Sequence, residues 1–390
     1  MSEDVSGWLL QTSAGRLEPE AFVSELGTRL NLAGFSICRI SAWIPTLHPE
    51  LWGNQLFWDK RGPCRVVRRD HDVSSTPDYI GTPAEVIHRD RVGSLRCRLD
   101  GPRDQIPFAL LRELADSGAS DYFILSLDPG GDRPPWIAFT TDRSGGFEPE
   151  QVERLQALGP LLSLHFQLAR ASFGTRSLLE VYLGANAAGR VLAGEFRRGT
   201  GVERRAAMWF CDLRGFTELS DRLPPREVVS VLDAYFELVT SPIEHHGGEI
   251  LKFIGDAVLA VFPAGNDDRE PCRRALTAAE EALDAVHGWS HADSARPELA
   301  IGVGLHLGVV MYGNVGGHRR LDFTVIGGSV NELCRVEALC KPLGCPLLMT
   351  DAFAAGLASD ELVSLGKHLL RGVSEPREVL TTRAHSPERA

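Results

Sequence analysis

Residues 247–262 read GGEILKFIGDAVLAVF. Two apolar runs flank Gly255 and Asp256. Runs this short, rich in β-branched and aromatic residues and parted by a glycine turn, fold as a β-hairpin. A lone hairpin is marginal in water, so neighbouring residues must supply more strands to bury it. Lys252 lies inside the first strand. A lysine there either has a reason to be buried or snorkels at a sheet edge.

The segment AAMWFCDLRGFTELSD (206–221) supplies such a strand, ending in Asp212. A loop through Gly215 follows, then a helix that Thr217 is placed to cap. A carboxylate at a strand end, beside the free N–H groups of a helix start, suits a metal and a phosphate together. With the hairpin next to this strand, Asp256 comes within reach of Asp212. Two carboxylates in one place favour one or two Mg2+ ions, with a polyphosphate supplying further oxygens.

A third segment, LDFTVIGGSVNELCR (321–335), alternates like a strand, breaks at Gly327 and Gly328, and resumes as a helix. Asn331 and Arg335 are four apart and share one helical face. Ser329 and Glu332 have the spacing of a capping box, with Ser329 as N-cap.

The chain has 390 residues, enough for two domains. Its net charge of −11 argues against a nucleic-acid partner. No apolar run approaches the roughly 18 residues of a membrane span. The start, MSEDVSGWLLQ, lacks the pattern of a signal peptide. A cytoplasmic protein is expected. The eight cysteines form no CxxC pair and read as reduced, mostly buried thiols.

Before Ala206 the texture differs. Residues 18–33 read as an amphipathic helix, and FSICRISAWI, QLFWDK, SLRCRLD, DYFILSL and WIAFTT as strands. A helix over IPFALLRELADSG and a long helix over 148–170 complete an α+β module. Its order of elements resembles a GAF-type sensor domain, assigned to 1–172. Trp43, His48, Trp52 and Trp58 either line a pocket for a small planar or apolar ligand or pack as core and rim. Residues 173–204 read as a helical connector ending in a basic, glycine-broken linker. Residues 383–390 read as a disordered tail.

WFCDLRGFTELSD, GGEILKFIGDAVLAVF, GVGLHLGVVMYGNVGGHRRLDFTVIGGSVN and LRGVSEPREV occur in this order. Together they resemble the class III nucleotide cyclase catalytic domain, over 205–382. The resemblance implies a ferredoxin-like α+β fold with an antiparallel sheet. It implies conversion of a nucleoside triphosphate to its 3′,5′-cyclic monophosphate and pyrophosphate. Asp212 and Asp256 match the aspartates that hold two Mg2+ or Mn2+ ions. Lys252 and Thr324 match the purine readers, threonine marking the class IIIb subgroup. An ammonium donates to adenine N1, where guanine carries a proton, so the pair favours ATP. Asn331 matches the residue that orients the ribose. Arg335 matches the arginine that stabilises charge on the α-phosphate. Arg371 stands where a lysine often contacts the terminal phosphates, and Gly215, Phe216 and Thr217 form a substrate loop. His306 and His318 read as structural or surface residues.

The family works as dimers with sites shared between chains. The resemblance therefore implies a homodimeric adenylate cyclase that binds ATP. Its first domain would answer an unidentified small-molecule or protein signal. A guanylate cyclase, or a silent nucleotide-binding protein of the same fold, are the rival readings. The family's usual Gly-Asp turn is Gly327-Gly328 here.

Overall fold

The computed structural model describes residues 4–12, 17–128, 131, 133–265, 267–294, 296–357, 361–373 and 375–387. The chain divides into two units, Met1–Val181 and Tyr182–Ala390.

In the first unit, α1 (Val5–Gln11) and α2 (Pro19–Leu32) precede β1 (Ile37–Pro45), β2 (Leu51–Asp59) and β3 (Arg65–Asp70). Then come α3 (Pro83–Asp90), β4 (Ser94–Arg98), α4 (Ala109–Asp116), β5 (Asp121–Ser126) and β6 (Trp136–Thr141). Helices α5 (Pro149–Ala157) and α6 (Gly159–Leu183) follow. The strands form an antiparallel sheet in the order β3-β2-β1-β6-β5-β4. Alternation along β1 sorts its two faces. Ile40, Ala42 and Ile44 pack with α1, α2, α5 and α6, while Trp43 packs with α3 and α4.

That alternation settles the tryptophans. Trp43 and Trp52 pair on one face with ring centroids 4.8 Å apart, and Trp58 lies on the other. His48 serves the turn before β2, where its Nδ1 accepts from the N–H groups of Glu50 and Leu51. The four residues do not line a common pocket, and the three rings are core.

The expected single helix over 148–170 is two helices. Pro160 has no N–H to give the carbonyl of Gln156, so the ladder breaks beside Gly159. The second helix then runs past the expected boundary at 172.

The second unit opens with α7 (Ala185–Leu192) and β7 (Gly201–Leu213). Next are α8 (Phe216–Arg222), α9 (Pro225–His245), β8 (Glu249–Ile254), β9 (Ala257–Pro263) and α10 (Arg269–His291). Then follow β10 (Ile301–Gly316), β11 (Leu321–Ile326), α11 (Gly328–Ala338) and α12 (Cys340–Leu343). The unit ends with β12 (Leu347–Thr350), α13 (Asp351–Leu357), β13 (Leu362–His368) and β14 (Arg377–Thr382). The sheet runs β13-β14-β12-β10-β7-β9-β8, with β11 added on β10. Its central order, β10-β7-β9-β8, with α9 and α10 as connections, is the ferredoxin-like βαββαβ arrangement.

Three expectations change. The sheet is not wholly antiparallel, because β12 runs parallel to β10. A parallel neighbour needs a crossover, which α11 and α12 provide. The basic linker is shorter than expected. Gly201–Arg205 belong to β7, because they pair with Val309–Gly313 of β10. The tail is ordered over 383–387. Arg383–His385 make a 3-10 turn, His385 Nδ1 lies 2.9 Å from Thr382 Oγ1, and Ser386 is buried. Residues 388–390 lie outside the described residues.

From Ala206 onward strand β7 is buried on both faces. Ala207, Trp209 and Cys211 pack with α9, α10 and α13; Ala206, Met208 and Phe210 face Ala187 of α7 and Leu333 of α11. All eight cysteines are unpaired. Among the described residues no helix is long and apolar enough to cross a membrane.

His306 on β10 is a structural residue, as expected. It is 5% exposed, with Nδ1 2.9 Å from Thr350 Oγ1. Burial lowers its pKa to about 4, with Arg377 adding to the effect. Below the ordinary histidine range the unfolded chain binds the proton and the folded chain does not. Stability is therefore full above about pH 6.5 and is lost as pH falls towards 4. His306→Gln should remove up to about 3 kcal/mol of this acid-side loss, read from chemical denaturation at pH 7 and pH 4.5.

Candidate active site

Strand β7 delivers Asp212 at its C-terminal end, opposite Gly302 of β10. On its other side β9 pairs antiparallel, Cys211 against Val258. The β8–β9 turn consists of Gly255 and Asp256, since Ile254 pairs with Ala257. Gly255 has φ +65°, a backbone that favours glycine. The register therefore brings Asp256 to the end of β7. The two carboxyl groups are close enough to share a hydrogen bond. Burial and the Asp256 charge hold the Asp212 carboxyl above the usual carboxylate range. Like charges kept together in this way suit a hard divalent cation. Among the described residues no group of three or more His, Cys, Asp or Glu forms a metal cage. The pair fits Mg2+ or Mn2+ with water and a ligand's own oxygens completing the shell.

Lys252 is on β8. Its Nζ pairs with Asp322 Oδ2 of β11 at 2.5 Å. Phe323 and Val325 are buried on one face of β11, so Asp322 and Thr324 share the other. Lys252, Asp322 and Thr324 thus make a polar patch, answering why a lysine stands in this strand. Phe253 and Ile254, next to Lys252, are half exposed.

Helix α11 carries Asn331 and Arg335, and Arg335 Nη1 donates to the carbonyl of Asn331 at 3.2 Å. The Arg335 guanidinium also lies beside Gly372, 3.9 Å from where a Cβ would sit there. Arg371 is the exposed neighbour of that glycine, in the turn between β13 and β14. The structure thus sets Asn331, Arg335 and the Arg371 turn side by side. Among the described residues no hydrogen bond or ion pair joins Asp212 or Asp256 to Lys252, Thr324, Asn331 or Arg335.

Two caps differ from expectation. The capping box does not form: Gly327 is the N-cap, and Ser329 lies inside the helix. Its hydroxyl donates to the carbonyl of Val309, and Glu332 lies 3.0 Å from Arg377 Nε. Tertiary partners take both side chains away from the local motif. Thr217 caps nothing either: Gly215, with φ +70°, is the N-cap of α8. Phe216 packs against the core of the unit, and Thr217 is exposed.

The sequence reading overlooked three residues. Asp322 was readable from the period of two that links it to Thr324. Arg214 and Glu337 form an ion pair at 2.7 Å between the β7–α8 turn and α11. Burial raises the Glu337 carboxyl to about 7, with Arg214 opposing the shift.

Residues 202–372 match the family model described as the adenylate and guanylate cyclase catalytic domain. This part of the chain is a class III adenylate/guanylate cyclase catalytic domain. It is 38% identical over 173 residues to an adenylate cyclase of Anabaena cylindrica, covering 43% of this chain and 34% of that protein. The chain spans about a third of the length of the curated relatives it matches. A solved bacterial light-regulated adenylyl cyclase has a similar fold at 22% identity, with TM-score 0.52, covering 65% of this chain and 82% of that one. The solved guanylyl cyclase Cya2 is 29% identical, with TM-score 0.41, covering 47% of this chain and 93% of that one. Both substrate names occur among the relatives.

Gly327 has φ +154° and needs glycine, whereas a Cβ at Gly328 would meet nothing within 4 Å. Gly328→Asp therefore fits, and it puts a carboxylate in the first turn of α11. It should stabilise the protein by about 0.5–1 kcal/mol in a melting experiment. Turnover should rise several-fold if the glycine turn leaves Asn331 loosely held. Unchanged turnover would show that this turn does not limit the enzyme.

Proposed function

We propose that the protein is an adenylate cyclase, converting ATP to 3′,5′-cyclic AMP and pyrophosphate. The observation that carries this reading is the Lys252–Asp322–Thr324 patch. An ammonium there donates to adenine N1, and the Thr324 hydroxyl accepts from the 6-amino group. Guanine presents a proton at N1 and an acceptor at position 6, the opposite pattern. Asn331 orients the ribose so that its 3′-oxygen faces the α-phosphate. Arg335 holds the charge that gathers on the α-phosphate oxygens as the 3′-oxygen bonds and pyrophosphate leaves. Arg371 and the loop of Gly215, Phe216 and Thr217 hold the outgoing phosphates. Asp212 and Asp256 would hold two Mg2+ or Mn2+ ions, which supply charge neutralisation and activation of the 3′-hydroxyl when bound.

The working form is a homodimer with each site shared. Among the described residues no hydrogen bond or ion pair joins the Asp212–Asp256 pair to Lys252, Thr324, Asn331 or Arg335 within one chain, as a shared site expects. Further support is the run of exposed apolar side chains on β8, β10 and β11, among them Phe253, Ile254, Met311 and Ile326. The first unit is a GAF-like regulatory domain. Its six-stranded sheet packed between helices supports that role, and the signal it answers is to be found by ligand screening.

ATP and GTP competing in one Mn2+ assay test the substrate. Cyclic AMP should dominate, and Lys252→Glu should cut kcat/KM for ATP by about 100-fold or more. Cyclic GTP as the main product would replace this reading with a guanylate cyclase, and no product from a verified dimer would end it.

Mixing Asp256→Ala with Arg335→Ala chains tests the shared site. Random pairing leaves one intact site in half of the dimers, so about a quarter of the unmodified activity should return. No recovery, with mixed dimers shown to form, would count against shared sites.

A further inference from the structure

Arg214 and Glu337 have no part in the chemistry just described. Yet the fold makes costly room for them. Glu337 is 5% exposed, and its Oε1 lies 2.7 Å from Arg214 Nη2. The Arg214 side chain keeps about a quarter of its surface in water, but burying the Glu337 carboxylate is not repaid well by their attraction, and an apolar residue there would serve stability as well or better.

Two glycines of β10 open the space. Gly302 and Gly304 are two residues apart on the strand and so face the same way. A Cβ at Gly302 would sit 1.6 Å from Arg214 Nη2. A Cβ at Gly304 would sit 2.9 Å from the Glu337 Cβ and 3.0 Å from its backbone nitrogen. Neither glycine has a positive φ, so room rather than backbone freedom is what the position demands. Glycine weakens a strand interior; here Gly302 leaves room for the Arg214 guanidinium, and Gly304 lets the α11 backbone at Glu337 come close.

The two ends of the pair are informative. Arg214 is two residues beyond Asp212, and its own N–H donates to the carbonyl of Ala300 at 2.8 Å. Glu337 is two residues beyond Arg335 on α11. The pair therefore ties the turn after β7 to the helix that presents Asn331 and Arg335, across the β10 slot. A bidentate-capable guanidinium in a fitted slot holds one geometry.

We propose that Arg214 and Glu337 are positioning residues: their ion pair is a strut that fixes the Asp212 turn against α11. It keeps the carboxylate at a set place and orientation for its cation. What the site binds rests on the cyclase reading above; the strut itself rests on the geometry.

The test uses the full chain, with Mn2+ binding in the presence of α,β-methylene-ATP followed by electron paramagnetic resonance. Melting temperature and kcat are measured alongside. Glu337→Gln keeps the shape and removes the charge; Arg214→Lys keeps the charge and removes the fork. Glu337→Gln should weaken Mn2+ binding about tenfold or more, with a melting temperature within a few degrees of the unmodified chain. Arg214→Lys should lose less, and the double variant should lose no more than the worse single one. Unchanged Mn2+ binding in both single variants would overturn the strut. So would losses that follow the melting temperature alone. If the unmodified chain turns over no nucleotide, the cyclase reading fails while the Mn2+ measurement still decides the strut. No Mn2+ binding in the unmodified chain would overturn the strut together with the metal assignment.

Discussion

The ladder between β7 and β10 is the constraint on which the site depends. It runs from Leu213 opposite Ile301 to Gly201 opposite Gly313. One end fixes Asp212 beside Gly302. Near the other end β10 takes up β11 as a neighbour, with Thr324 opposite Gly313. A slip of one residue would turn Trp209 and Cys211 out of the α9–α10 core and Met208 and Phe210 into it. Both cores resist that slip. The same register therefore holds Asp212 at one end of the ladder and the strand of Thr324 near the other.

Stability and function separate along these strands. The middle of β7, β9 and β10 is apolar on both faces and has strong reason to stay folded. The ends carry groups that oppose folding. Asp212 and Asp256 repel, and burial disfavours the charge that a cation needs. Strain of this kind persists where the surrounding ladder over-determines the position, which is why perturbed groups gather at functional ends of sheets.

How much of this was legible in the sequence varies with distance along the chain. The Gly255–Asp256 turn was readable because a two-residue hairpin is a local object. The approach of Asp256 to Asp212 followed from it with one assumption about strand order. The capping box at Ser329 failed because Val309 and Arg377, far away in sequence, compete for the same side chains. The tryptophans misled for a related reason. Alternation places Trp43 and Trp58 in their own strands, but only the register of Ile40 opposite Trp58 shows that they face apart. Arg214 and Glu337 are 123 residues apart, and nothing local to either announces the other. Their one trace is the glycine pair in GVGLHLG, which reads as a weak strand until the slot is seen.

The strut acquires a further meaning if the sites are shared between chains. Within one chain it joins the Asp212 turn to the helix bearing Arg335, and those two would then serve different sites of the dimer. A movement that shifts the turn at one site would pull on α11 at the other. Side chains exposed to water on flexible loops would absorb such a movement. A half-buried arginine and a buried glutamate seated against strand backbone at Gly302 and Gly304 have little slack, because any displacement leaves the buried Glu337 carboxylate without its partner. The two sites of a dimer would then be mechanically linked through each chain as well as across the interface. That linkage would be a property of the fold, present whether or not the first unit carries a signal.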